Sequence, residues 1–170
     1  MNSFQTHWWN QARSDHDIFQ LLLNLRSHQP CHPLHYLQMT AEKIAKAYFW
    51  RSGSPPPKDH AGFVQFMRFP GQVRRNEQER VANVFEFRRF GDFQLWIRSV
   101  LPFAHQLEKL SPSLAQDGPN VEYPWPHKQP QFDPVSYNFP QREKLKAAQG
   151  RKLIKVIGHA VKRFPEYSDA

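Results

Sequence analysis

Three things are scarce in this 170-residue chain, and each scarcity narrows what it can be. It has one cysteine, Cys31, which excludes an intramolecular disulfide and the multi-cysteine zinc sites. With only His32 beside it, Cys31 reads as a loop or core thiol and not as an activated nucleophile. Long apolar runs are also missing: none approaches the roughly 18 residues a membrane span needs. Met1 to Asn10 carries no secretory pattern, so the expectation is a cytoplasmic protein. Acidic residues are few as well, 15 against 23 Lys and Arg, a net charge of +8. No group of His, Cys, Asp and Glu has ligand spacing, so no metal or other cofactor is expected.

Aromatic residues are plentiful: 14 Phe, 5 Trp and 5 Tyr. Each buries a large area, so a polar chain (mean hydropathy −0.73) can still assemble a core. At this length the simplest organisation is one domain over residues 1–170.

Periodicity predicts helices throughout, with no alternating strand and no internal repeat. Ser14 and Asp17 resemble a capping box, after which Ile18, Leu21, Leu22 and Leu25 share a face. A second helix begins near His32-Pro33 and carries Leu34, Leu37, Ala41, Ile44, Ala45 and Tyr48, with Gly53 placed as a C-terminal glycine. The prolines after Ser54 must interrupt it. Asp59 is positioned to cap a third helix carrying Phe63, Phe66 and Met67. Helical pattern resumes at Val81, Val84 and Phe85. Gly91 is expected to break it, Asp92 to cap the next piece and Pro102 to kink that piece. A last helix opens near Asn138 and carries Leu145, Leu153, Val156, Ile157, Ala160 and Phe164. The expected fold is therefore an all-α, up-down bundle of five or six helices.

Between positions 112 and 140 prolines recur among Tyr123, Trp125, Phe132, Tyr137 and Phe139. So long a connection is normally functional or disordered, and the aromatics favour an ordered strap over the bundle. Within it, Asp117 to His127 looks too specific for filler. Tyr123 and Trp125 could anchor the strap or stack on bases, and anchoring is the simpler role.

Basic charge is concentrated. From Arg142 to Arg163 the only acid is Glu143, and Arg68 to Arg98 is a second rich run. Such a surface suits RNA or another polyanion, since neutralising phosphates releases counterions. The candidate contacts are Arg151, Lys152 and Lys155 of the last helix, with Lys58 in the proline break.

The stretch LQMTAEKIAKAYFWRSGSPPPKDHAGFVQFMR, within residues 35–68, resembles the central part of HEPN-domain proteins. Gln38, Ala41, Glu42, Lys43, Lys46 and Ala47 match the helix of that pattern, and Pro57, Lys58 and His60 match the break after it. The resemblance implies a helical bundle that commonly forms homodimers, and two functional branches. One is a metal-independent endoribonuclease of toxin or antiphage-defence type. The other is a non-catalytic module that binds a nucleotidyltransferase or antitoxin partner, or nucleic acid. The catalytic branch carries an arginine, a polar residue and a histidine a few positions on. Arg98, Ser99 and His105 offer that arrangement, as do Arg26, Ser27 and His32. Arg98 with His105 is the better pair, because seven residues return to the same helix face while Arg26 and His32 straddle a helix end. In such a site Arg98 would hold the scissile phosphate and His105 would move the proton. Outside the resemblance, Glu42 and Lys46 read as an ordinary i, i+4 pair on a solvated face.

Overall fold

A computed structural model of the protein describes residues 1–25, 28–53, 55–56, 62–68, 73–126 and 132–170. Asp59, the expected cap of the third helix, lies outside the described residues, as do Lys58, His60, Arg26 and Ser27. The described chain is all-α, and its only β feature is an isolated bridge between Trp125 and Phe132. It forms eight α-helices, more than the five or six expected, because short helices stand apart from the long ones: α1 (Ser3–Asn24), α2 (Cys31–Phe49), α3 (Gly62–Arg68), α4 (Gln78–Val84), α5 (Phe90–Glu108), α6 (Pro112–Ala115), α7 (Pro140–Lys146) and α8 (Ala148–Lys162).

Helix α1 begins earlier than Ser14. The Asn2 side chain accepts from the Gln5 amide at 2.9 Å, and the Gln5 side chain accepts from the Asn2 amide at 3.0 Å. This reciprocal box satisfies two free donors and starts the helix at Ser3, which leaves Ser14 and Asp17 mid-helix. The buried face is displaced too. Ala12, Asp15, His16 and Phe19 point inward, while Leu21, Leu23 and Leu25 are 59, 41 and 46% exposed.

Helix α2 follows the expected pattern, burying Leu34, Leu37, Ala41, Ile44, Ala45 and Tyr48. It closes through a short 3-10 turn onto Gly53, whose φ of 73° is open to glycine at no steric cost. Phe63, Phe66 and Met67 of α3 enter the same core. There Gly62 sits so close to α2 that an added Cβ would stand 2.6 Å from the Glu42 Cα.

Helix α5 starts before Gly91 and continues past Pro102. Gly91 lies in its first turn, Asp92 pairs with Arg89 without capping, and Pro102 is accommodated inside the helix at an exposed position. The last helical segment is split at Ala147, whose ψ of 164° is extended, and Asn138 caps neither piece. Helix α1 lies along α2, α3 bridges α2 and α5, and α8 packs on α1 and α2.

The strap is anchored by its aromatics, Tyr123 excepted. Trp125 is 3% exposed, stacked on Phe132 at 6.2 Å and edge-on to Tyr137 at 5.2 Å, whereas Tyr123 is 60% exposed.

Candidate nucleic-acid interface

The basic face of α8 follows from its periodicity. Leu153, Val156, Ile157, Ala160 and Val161 are buried, which turns Arg151, Lys155, His159 and Lys162 onto the opposite side of the helix. Gly158 lies between these groups and presents no side chain to α1. An added Cβ there would stand 3.5 Å from the His16 Nε2, an ordinary contact distance, so the His16 ring lies over this position.

The result is an open groove of about 450 Å³ between α1 and α8, lined by His16, Gln20, Arg151, Ile154, Lys155, Gly158, His159 and Lys162. From Arg151 to Lys162 the groove follows eleven residues of helix, about 16 Å at 1.5 Å per residue. None of its lining residues is acidic. The acids beside it are Asp17, close enough to act on His16, and Glu86 at the α4–α5 turn. Glu86 adopts φ 57°, an uncommon conformation for a non-glycine residue. From there its carboxylate contacts Lys155 Nζ at 2.5 Å and His159 Nε2 at 3.5 Å. The Lys155 hydrogen bond holds Glu86 below the usual carboxylate range.

Both histidines are biased towards the neutral form. Burial pushes His16 down against the pull of Asp17, and burial pushes His159 down against the pull of Glu86. The His16 Nε2 lies 3.3 Å from the Gln20 amide nitrogen. Three cations flank two imidazoles that gain charge when protonated, which is chemistry for gripping a run of phosphates.

Of the residues expected to meet nucleic acid, Arg151 and Lys155 line this groove, and Arg151 also donates to the Lys146 carbonyl at the α7–α8 break. Lys152 points elsewhere, its ammonium 4.2 Å from the Phe87 ring centre. Lys58 lies outside the described residues. Sequence reasoning missed His16, Gln20, His159 and Lys162. The Arg151, Lys155, His159, Lys162 spacing is visible as one helical face, but His16 arrives from α1, and only the tertiary fold brings it there.

Arg98 and His105 are both exposed on α5, about 10 Å apart along its axis by helical rise. Neither lines this groove. Ser99, which follows Arg98, donates its hydroxyl to the Trp96 carbonyl, and its own carbonyl accepts from Gln149 of α8 at 2.8 Å.

The helix that carries the HEPN resemblance is mostly interior. Glu42 and Lys46 do pair, at 2.5 Å, but their side chains are 6 and 13% exposed, so the pair is buried rather than solvated. Lys46 also lies over the Trp8 ring, and Lys43 pairs with the buried Asp15 of α1. Gln38 donates to the Leu107 carbonyl of α5. These residues hold α1, α2 and α5 together.

Among the described residues no group of three or more His, Cys, Asp or Glu is arranged to hold a metal ion, and no helix is long and apolar enough to cross a membrane. Compared with protein-family models, curated proteins and solved structures, the chain matches none.

Proposed function

We propose that this chain is a HEPN-like RNA-binding helical protein, gripping the phosphates of single-stranded RNA in the groove between α1 and α8. The observation that carries this reading is the convergence of Arg151, Lys155 and Lys162 with His16 and His159 on one groove without a lining acid. Its length of about 16 Å suits a few consecutive phosphates, and the absence of an aromatic from its lining fits a backbone grip without base readout. The net charge of +8 strengthens association with any polyanion.

Labelled single-stranded RNA, titrated at several salt concentrations, tests it. Each phosphate contact contributes about 0.7 to the slope of log affinity against log salt for single strands. Arg151→Gln together with Lys162→Gln should lower that slope by about 1.4. A double variant with the parent's slope rejects the groove.

A second reading keeps the ribonuclease branch. Arg98 and His105 are exposed on one helix, two turns apart, an arrangement that suits a site assembled across a homodimer. In that site Arg98 holds the phosphate while His105 transfers the proton of the attacking 2′-hydroxyl, with no metal required. RNA cleavage in EDTA, lost in Arg98→Ala and in His105→Ala, supports it. Undiminished cleavage by both variants rejects it, and absence of cleavage by the parent leaves the non-catalytic branch, with a nucleotidyltransferase or antitoxin protein as partner.

A further inference from the structure

The C-terminal turns of α1 invert the usual order of burial. Asp15 and His16 are 5 and 3% exposed, while Leu21, Leu23 and Leu25 stand 59, 41 and 46% exposed on the same chain segment. Scattered surface leucines are ordinary, but Leu23 and Leu25 line a cavity. It measures about 560 Å³, and its apolar lining includes Leu23, Pro33, Leu34, Leu145 and Ile154. Arg142, Lys146 and Arg151 also line it, with no acid among the lining residues. Glu143, beside Arg142 in the chain, pairs with Lys146 at 2.6 Å and leaves the two arginines without a carboxylate partner among the described contacts.

We propose that this cavity is a docking site for an acidic amphipathic helix of a protein partner. Such a helix places apolar side chains at i, i+3, i+4 and i+7 into the leucine-lined floor and sets Glu or Asp of its flanks against Arg142, Lys146 and Arg151. Two other occupants fit less well. A second copy of this chain in a twofold dimer would press the patch against itself, cation facing cation. RNA would set its charged backbone against the apolar floor of Leu23, Pro33, Leu34 and Leu145, which offers phosphates no polar partner. The inference goes beyond RNA binding and does not depend on it.

The test uses the full chain and a synthetic amphipathic peptide with a leucine stripe flanked by Glu, beside the same peptide with every Glu changed to Lys. Fluorescence anisotropy should show saturable binding of the Glu peptide only. Leu23→Glu should weaken it at least about tenfold, as loss of an interface anchor does. Leu23 is on the surface, and an unchanged far-ultraviolet circular dichroism spectrum checks the fold. Lack of binding to the Glu peptide, equal binding of both peptides, or equal binding by parent and Leu23→Glu overturns the proposal. So does a concentration-dependent dimer of the parent that Leu23→Glu dissolves, which would assign the patch to a second copy. Loss of single-stranded RNA binding in Leu23→Gln would assign it to nucleic acid instead, and likewise overturns it.

Discussion

Trp125 is the strap's main anchor, and its removal should be felt by the whole fold. The indole is 3% exposed and enclosed by rings: Phe132 stacked at 6.2 Å, Tyr137 edge-on at 5.2 Å and Phe139 tilted at 6.4 Å. Its backbone amide also donates to the Phe132 carbonyl at 3.0 Å, which closes the only bridge of the described strap. Trp125→Ala therefore removes a large apolar side chain from a site whose backbone is held and cannot collapse freely. Truncations of this kind cost about 3–5 kcal/mol. For a domain of this length, where each kcal/mol moves the melting temperature by about 2–4 °C, the midpoint should fall by about 6–20 °C. Tyr123, two residues away, is the internal control. It is 60% exposed, so Tyr123→Ala should stay within about 0.5 kcal/mol of the parent. Thermal unfolding followed by circular dichroism reads both variants. A Trp125→Ala protein that melts with the parent but has lost RNA binding would refute the anchoring role and make the indole a base-stacking platform.

Two further outcomes follow from the titrating groups. Burial holds His16, His35 and His159 below the ordinary imidazole range, so in the unfolded chain they take up protons near pH 6.5 while in the native protein they lag. Stability is then fully present above about pH 6.5 and falls as the pH drops below it. Urea midpoints should be lower at about pH 5.5 than at about pH 7.5, and a higher midpoint in acid contradicts the burial argument. Glu86 opposes any anion in the α1–α8 groove, so Glu86→Gln should free Lys155, tighten single-stranded RNA and steepen the salt slope by about 0.7. Unchanged affinity would mean that the phosphates pass elsewhere.

Where the sequence is legible, one element settles its own face. Helix α2 has apolar residues at helical spacing for four turns and a terminal glycine, and the fold buries all six positions that the spacing selects. Helix α8 is legible for the same reason, though of the three residues its charge pattern selects, Arg151 and Lys155 line the groove while Lys152 lies over the Phe87 ring. Helix α1 misleads. Its leucines outweigh Asp15 and His16 in any hydropathy pattern, yet Asp15 is inside because Lys43 of α2 meets it there, a partner that periodicity within α1 does not reveal. The Glu42–Lys46 pair misleads similarly: i, i+4 spacing states that the two can pair, and only the packing of Gly62 and Trp8 decides that they do so out of water. The groove itself is half visible, since its α8 wall is local and its α1 wall is tertiary.

Whether RNA lies in the α1–α8 groove is read from backbone amide chemical shifts recorded during a titration with single-stranded RNA. Perturbed amides should cluster at His16, Gln20, Arg151, Lys155, Gly158 and Lys162. Perturbations gathered around Arg98 and His105 on α5, with the groove residues unmoved, would contradict that placement.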